Sequence, residues 1–422
     1  MRFSDGPHLE FGPFPVAIGR VVPTTARGWI SRGGYNISLV GEADIAKTLR
    51  TARTFGLPAL QAAAEGSAQI DLQIAGSWAA LNSSAASGFS AAQVTGTTTL
   101  HNVHLALSGV GGQVEIVSAD MQLSPDEVHV SKLNAIAADT SWTGSLVMPR
   151  GCGTAAACPV HFKLNANQIA LGAMREWVSP NPEDRPWYRV LQPNAKAGPS
   201  FVLNVRASGE VTARSLQVQS LKATGVSAKV ALDAGKLRIS DLTADFMGGR
   251  HRGEWQADFN MKPSVCKGSG SLTGAELADV ADAMKDGWIA GSANASYEMK
   301  GPCPPEFWTS AEGTLQFEMT DGSLPHVFLA EGTEPLEVTR FVGQARLQSG
   351  KIEMNDAKLD SPDGKFQLTG TATLNGELDL NLARTLNSTT VTGYTITGTV
   401  EAPRVSLSSS ETQARLKSEP PK

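Results

Sequence analysis

Four cysteines, Cys152, Cys158, Cys266 and Cys303, are the side chains of this 422-residue sequence with the plainest capacity for chemistry. Cys152 and Cys158 flank a Gly- and Ala-rich stretch that could form a hairpin loop, and the other two each follow a strand-like segment beside prolines. Four cysteines allow three pairings. Because the spacing does not fit the Cys-x-x-Cys pattern of zinc sites, disulfides are favoured over free thiols, and a metal site ranks last.

The histidines and carboxylates form no recognisable catalytic pattern. His101 and His104 are three residues apart in a strand-like segment, a separation that predicts rings on opposite faces. The sequence has no His-Glu-x-x-His, no Walker-type lysine loop and no Gly-x-Ser-x-Gly turn. Carboxylates such as Glu377 and Asp379 occupy alternate strand positions, which is typical of a solvated face. We expect a protein that is not an enzyme and has no cofactor or metal.

Composition excludes some classes of partner and points to a β-rich chain. There are 36 basic and 41 acidic residues, a net charge of −5, and no run of basic residues that would hold a nucleic-acid backbone. Hydrophobic residues make up 41% and there are 42 glycines, a balance typical of strands joined by many turns. The sequence contains no apolar stretch long enough for a membrane-spanning helix and does not open with a signal-peptide pattern.

A strand pattern with one skipped beat occurs three times. In the segment LRISDLTADFMGGRHRGEWQADF (237–259) apolar and polar residues alternate, with one extra residue at Asp241. A double glycine follows, and the alternation then resumes. An extra residue in a strand is the mark of a β-bulge, which bends the strand, so we predict a bulge at each copy. The aligned residues are Val128, Val130, Leu133, Ala135 and Gly144 in the first copy, Leu237, Ile239, Leu242, Ala244 and Gly253 in the second, and Ile352, Met354, Ala357, Leu359 and Gly370 in the third.

Three repeats follow from this pattern, each with a helical stretch and then about six strands. The helices are predicted within 42–57, 168–178 and 273–287, the last with Thr273 and Glu276 as a capping box. The segments 66–76, 201–209 and 291–301 are predicted to be equivalent strands. The predicted organisation is an incomplete strand and loop region over 1–40, repeats over about 41–165, 166–272 and 273–407, and a disordered tail over 408–422.

The predicted fold is mainly β: an elongated, curved antiparallel sheet built from repeats, groove-like, with a few short helices. The alternating strands give the sheet one apolar and one polar face. The apolar face either lines a trough that holds acyl chains or packs on itself as an ordinary sandwich core. The residues predicted to line the trough are Leu237, Ile239, Trp255, Phe259, Leu315, Phe317, Ile352, Met354, Phe366, Leu368, Leu378, Leu380 and Leu382.

The succession of strand phrases in the last third resembles the C-terminal region of the AsmA family, which includes AsmA and more distantly TamB. The resemblance covers nearly the whole chain. Each phrase is weakly specific by itself, and their order is what carries the likeness. The phrases are GTLQFEMTDGSL (313–324), KIEMNDAKLDSPDGKFQLTGTATL (351–374), GELDLNLA (376–383) and YTITGTVEAPRVSL (394–407), the last with Gly398, Thr399 and Pro403.

The resemblance implies a bacterial envelope protein that is similar to the repeating β-groove proteins. Such a protein carries phospholipid between membranes and contributes to outer-membrane assembly and lipid homeostasis. It lies in the periplasm and is tethered to the inner membrane by an N-terminal helix. The first residues read as the middle of a strand and loop region, so the sequence indicates a fragment whose anchor and N-terminal half precede residue 1. Its expected partners are phospholipid acyl chains and other envelope proteins.

A second class of function is a structural or regulatory periplasmic scaffold that affects outer-membrane protein assembly through protein contacts. The aromatic and proline-rich insertion at 180–193, with Trp187 and Tyr188, would be its contact site. Packing of this loop over a sheet edge is the more ordinary interpretation. A carbohydrate-binding or adhesive repeat protein is a third, less favoured hypothesis.

Overall fold

A computed structural model describes residues 7–19, 23–54, 63–78, 92–107, 110–150, 159–178, 201–203, 205–218, 221–279, 289–304, 306–330, 333–386 and 389–408. The chain is mainly β, with 22 strands assigned to one sheet. The helices in these ranges are short: α1 (Ile45–Thr54), α2 (Leu171–Val178), α3 (Phe307–Ser310) and a 3₁₀ helix (Phe201–Leu203). The predicted class, a mainly β protein with an antiparallel sheet and a few short helices, is therefore confirmed.

The strands are mostly 10 to 15 residues long. They are β1 (His8–Val16), β2 (Thr24–Ser31), β3 (Gly34–Asp44), β4 (Ala63–Ser77), β5 (Ala92–Ala106), β6 (Gln113–Leu123), β7 (Glu127–Ala137), β8 (Thr140–Pro149), β9 (Val160–Ala170), β10 (Arg206–Val218), β11 (Leu221–Asp233), β12 (Lys236–Phe246), β13 (Gly249–Asp258), β14 (Val265–Glu276), β15 (Ala290–Pro302), β16 (Glu312–Leu324), β17 (Leu336–Gln348), β18 (Lys351–Ser361), β19 (Gly364–Thr373), β20 (Glu377–Leu386), β21 (Thr389–Thr399) and β22 (Pro403–Leu407).

The chain divides into two compact units. The N-terminal unit comprises residues 1–219 with 229–235, and the C-terminal unit comprises 220–228 with 236–422, so the division falls within β11. In the N-terminal unit β1 to β9 pair antiparallel in chain order, and β10 pairs parallel with β9. In the C-terminal unit β12 to β22 pair antiparallel in chain order. The three-repeat division stays a sequence-based prediction.

The bulge predicted at Asp241 is confirmed. Ile239 pairs with Trp255 and Leu242 pairs with Gly253, so two residues of β12 lie opposite one residue of β13. Asp241 has a φ of 52°, in the left-handed region. The same register shift occurs between Val130 and Leu133 and between Met354 and Ala357, in the other two copies.

The third copy aligns differently from the sequence-based prediction. Leu368, four residues after the start of β19, lies opposite Ala357. Gly253, four residues after the start of β13, takes the equivalent place opposite Leu242. Gly370, which the sequence pattern aligned with Gly253, instead pairs with Met354 on the other side of the bulge. The structural offset between the second and third copies is therefore constant at 115 residues on both strands, from Ile239 to Met354 and from Gly253 to Leu368.

Two predicted elements are corrected. The segment 201–209 is not one strand, because Phe201–Leu203 forms a 3₁₀ helix and β10 begins at Arg206. The carbonyls of Val202 and Val205 accept hydrogen bonds from Gly235 and Ala234, which draws this segment onto the β11–β12 turn. The helix α2 and the connection after it lead from β9 to β10, and parallel neighbours need such a crossover.

The third predicted helix begins later than its proposed cap. Thr273 and Glu276 both lie in β14, and helical residues start at Leu277, beyond which 280–288 lie outside the described residues. Gly274 has a φ of 66° and its N–H donates to the Asn294 side chain, so the strand continues through a bulge between Leu272 and Ala275. Thr273 and Glu276, which the predicted capping box required at the start of a helix, are thus used in strand pairing.

Small and branched side chains build the cores. In the N-terminal unit, one cluster surrounds Ala68 and Ile70 and a second surrounds Val130 and Ala135, with Leu100 packing against both. The C-terminal unit has a larger cluster that includes Met319, Leu336, Leu359, Leu382 and Ile396. Among the helices in the described ranges, none has the length and apolar character needed to cross a bilayer.

Candidate functional site

The apolar face of the C-terminal unit is built from rows of directly paired residues, which point to the same side of the sheet. One row runs across eight strands without a charged side chain: Trp255, Gly268, Met299, Gly313, Leu347, Ile352, Ala372 and Leu378. The next row contains Gly270, Tyr297, Leu315, Ala345, Met354, Gly370, Leu380 and Ile396. A third contains His251, Leu272, Ala295, Phe317 and Gly343.

This apolar face bends around a cavity of about 390 Å³. Leu272 on β14 and Pro403 on β22 both line it, although eight strand spacings separate them along the sheet. In a flat sheet these strands would be about 38 Å apart at roughly 4.8 Å per spacing. Because both contact one cavity of this size, the sheet of the C-terminal unit must curl toward its apolar face.

The connection between β16 and β17 covers one end of the cavity. Val327 is 9% exposed; its N–H donates to the carbonyl of Leu324, and its own carbonyl accepts from the N–H of Leu336. The Nδ1 of His326 lies 3.3 Å from the carbonyl oxygen of Val400, in the turn between β21 and β22. His326, Val327 and Val400 all line the cavity, so this connection and that turn meet over it.

Eight of the residues predicted to line the trough line the cavity: Leu315, Phe317, Ile352, Met354, Leu368, Leu378, Leu380 and Leu382. Phe366 is 3% exposed and packs in the core beside it. Leu237, Ile239, Trp255 and Phe259 do not contribute to the lining. Leu237 and Ile239 lie partly buried on β12, Phe259 follows the end of β13, and Trp255 packs toward Phe307.

The structure adds lining residues that the sequence-based prediction omitted. Four of them come from β17 and from the connection before it: His326, Val327, Leu336 and Phe341. The segment LEVTRFVGQARL does alternate, but its two halves are out of step by one residue. The apolar positions change parity between Val338 and Phe341, opposite Asp321 of β16, which has a φ of 50°. Allowing for one skipped beat, as in the three bulged copies, would have found this strand.

Glycines on the apolar face let aromatic rings lie against the backbone. A Cβ added at Gly268 would overlap the ring of Trp255, and one added at Gly343 would contact the end of the Phe317 ring at 3.0 Å. Trp255 also meets Phe307 edge-to-face, with ring centroids 5.7 Å apart. These contacts fill the side of the apolar face next to the cavity with aromatic surface.

A disulfide joins Cys266 on β14 to Cys303, the residue after β15, with Cα atoms 4.8 Å apart. This is one of the pairs that the sequence left open. Cys266 packs in the same cluster as Trp255 and Phe307, so the bond lies beside the aromatic surface. Cys152 and Cys158 lie outside the described residues, as do Trp187 and Tyr188.

One polar pair interrupts the apolar face. The Nε2 of His251 is 2.9 Å from the hydroxyl oxygen of Tyr297, and the rings are stacked with centroids 5.9 Å apart. Burial lowers the pKa of His251, so the imidazole is held neutral. Burial also raises the pKa of Tyr297. The pair is therefore uncharged at neutral pH.

One ion pair marks the opposite, polar face of the sheet. Arg340 and Glu318 form an ion pair there, with Nε and Oε1 2.8 Å apart and both side chains about half exposed. Exposed pairs of this kind contribute little to stability. In the described part of the chain, no group of three or more His, Cys, Asp or Glu side chains is placed to hold a metal ion.

Comparison with models of protein families, with curated proteins and with solved structures finds no match to this chain. The chemical capacity of the site is set by its shape and lining. Of the side chains that line the cavity, His326 is the polar one, and it is hydrogen-bonded to the backbone. Such a cavity can hold a hydrocarbon chain by exclusion from water.

Proposed function

We propose that this chain is a non-enzymatic lipid-binding protein of the bacterial envelope, of the AsmA type, which shields phospholipid acyl chains during transport between membranes. The observation that carries the proposal is the apolar cavity of about 390 Å³ on the curled sheet of the C-terminal unit. Its volume falls in the range of about 300–1,000 Å³ that is usual for small-molecule sites. A role in outer-membrane assembly and lipid homeostasis is what the sequence resemblance adds.

The free energy of moving an acyl chain out of water favours such a site. Moving a methylene group out of water contributes about 0.8 kcal/mol. Eight methylenes on this face would contribute roughly 6 kcal/mol before the cost of ordering the ligand is subtracted. Side chains such as Phe317 and Leu380 present apolar surface to the cavity, so no buried polar group has to be desolvated along this stretch.

The periplasmic location is also part of the proposal. Disulfides persist in oxidising compartments such as the periplasm and are rare in the cytosol. The Cys266–Cys303 bond is consistent with that environment. Tethering to the inner membrane rests on the resemblance to the AsmA family alone.

The experiment is lipid analysis of the purified chain together with two matched variants. Ala295 lines the cavity between Leu272 and Phe317, whereas the next residue, Ser296, is exposed on the opposite face. We expect phospholipid to co-purify with the wild-type chain and with Ser296→Phe, and to fall at least several-fold in Ala295→Phe, because the new ring fills the cavity.

Mass spectrometry of extracted lipid provides the readout, with thermal unfolding of each variant as the folding control. A lipid-free wild-type chain would contradict the proposal. So would equal lipid content in Ala295→Phe and Ser296→Phe, since lipid would then be held elsewhere. The scaffold hypothesis predicts that neither substitution affects an envelope-assembly phenotype.

A further inference from the structure

The polar pair on the apolar face lies next to the cavity. His251 on β13 is directly opposite Leu272, and Tyr297 on β15 is directly opposite Leu315. Leu272 and Leu315 both line the cavity. His251 therefore stands one strand away from the lining residue Leu272, and Tyr297 lies on β15, whose Ala295 lines the cavity.

The glycines between the strands shape this position. His251 and Tyr297 approach each other over Gly270, where an added Cβ would be 3.0 Å from the imidazole Nε2 and 2.9 Å from the tyrosine hydroxyl. An added Cβ at Gly253 would be 3.1 Å from the imidazole Cε1. The imidazole thus lies close to the backbone of both glycines.

A hydrogen bond with Tyr297 orients the imidazole. The Trp255 ring packs against the Tyr297 ring, with centroids 6.2 Å apart. The Nε2 of His251 is 2.9 Å from the hydroxyl oxygen of Tyr297, and in the tautomer with its hydrogen at Nδ1 the imidazole accepts from that hydroxyl. A neutral imidazole that accepts at Nε2 carries its hydrogen at Nδ1. No described residue accepts a hydrogen bond from Nδ1, and that atom is not sealed from solvent.

We propose that His251, oriented by Tyr297, binds the ester carbonyl of an acyl lipid whose hydrocarbon chain lies in the adjacent cavity. This inference rests on the proposed function and specifies which part of the ligand is recognised. An amphiphile has a polar linkage at the end of an apolar chain, and His251 places a neutral donor on the apolar face beside an apolar cavity. A neutral donor suits an uncharged carbonyl, which adds no charge to a partly buried position.

The test compares two ligands that differ by one carbonyl. The probes are 1-palmitoyl-lysophosphatidylcholine, which has an ester linkage, and its 1-hexadecyl ether analogue, each titrated below its critical micelle concentration into the delipidated full chain. One added hydrogen bond should make the ester bind about 3- to 10-fold more tightly than the ether. We expect this preference to vanish in His251→Phe and in Tyr297→Phe, while the affinity for the ether stays the same.

Tyr394→Phe is the matched control. Tyr394 is on the same face, directly opposite Leu382, and packs against the main core of the C-terminal unit. It should keep the ester preference. Equal binding of ester and ether by the wild-type chain would overturn the inference and leave the cavity proposal intact. Binding of neither probe would overturn both, and a preference that survives Tyr297→Phe would show that this pair does not orient the donor.

Discussion

At the scale of single residues, the apolar face depends on where side chains are missing. Gly268, Gly270 and Gly343 interrupt rows of larger residues, and in each case a neighbouring ring occupies the space. The ring of Trp255 is held in this way between Gly268, Phe307 and Tyr297. Aromatic rings contribute much of the buried area of a core, so these glycines have a packing role.

Gly268→Ala should therefore destabilise the chain. The added methyl overlaps the Trp255 ring, and crowding of this kind costs about 1–3 kcal/mol. The control is Gly172→Ala in α2, where an added Cβ meets nothing within 4 Å and where alanine should stabilise the helix by about 0.5–1 kcal/mol. Urea denaturation of both variants measures the difference. An unchanged midpoint for Gly268→Ala would mean that Trp255 does not lie over this glycine.

His251 should make stability depend on pH. Its folded-state pKa is lowered from 6.5 by burial. Above pH 6.5 the residue is neutral in both states. As the pH falls below 6.5, the unfolded chain gains a proton that the folded chain resists, so the free energy of unfolding decreases until the folded pKa is reached.

His251→Gln removes this contribution and should flatten the decrease below pH 6.5. His129→Gln provides the control, because it replaces an exposed histidine on β7 and leaves His251 in place. The measurement is the urea midpoint at pH steps from 8 to 5. The same slope in His251→Gln and the wild-type chain would refute the assignment.

At the scale of secondary structure, bulges decide which residues reach the cavity. The skipped beat at Asp241 was readable from the sequence because it recurs in three copies, and the register shifts confirm it. The predicted match of Gly370 to Gly253 was wrong. The turn before Gly370 differs in sequence from the turn before Gly253, so matching the two glycines displaced the alignment by two residues.

The same effect misplaced one pair of histidines. The odd spacing of His101 and His104 predicted opposite faces, but Asn102 has a φ of 49° and the β4–β5 register shifts there. His101 pairs with Ser67 and His104 with Glu65, so both lie on the exposed side of the strand. Period-two reasoning fails wherever one extra residue enters a strand.

Asp241→Val should weaken the β12–β13 hairpin. A β-branched residue adopts the left-handed region at a cost of roughly 1–2 kcal/mol, whereas Asp tolerates it. Thr243→Val, two residues later in regular register opposite Arg252, should change stability by less than about 0.5 kcal/mol. Hydrogen exchange of the β12 and β13 amides tests this. Equal protection in the two variants would argue against a bulge at Asp241.

At the scale of the whole molecule, the class of fold was predictable and the division into units was not. Alternation, turn glycines and the recurrent bulge indicate an antiparallel sheet with one apolar face. The parallel β9–β10 pair was not foreseen, because the sequence pattern of β10 resembles that of its antiparallel neighbours. The division within β11 depends on contacts between strands, which no local pattern records.

Only part of the candidate site was predictable, because the sequence records alternation within each strand but not contacts between distant strands. Strand alternation identified residues such as Leu315 and Leu380, because their own segments carry the signal. It could not show that Leu272 and Pro403 line one cavity, since that follows from curling of the sheet. Trp255 was placed in the trough by its position in the row, but packing against Phe307 directs its ring away from the lining.

The central claim is that an acyl chain occupies the cavity of the C-terminal unit, and photo-crosslinking tests it most directly. The probe is a palmitoyl lysophospholipid with a diazirine near the middle of its chain, irradiated with the full-length chain and mapped by peptide mass spectrometry. We predict crosslinks at lining residues such as Phe317, Met319 and Leu380, lost on addition of excess unlabelled lipid. Crosslinks confined to the polar face, or unaffected by the competitor, would contradict the account.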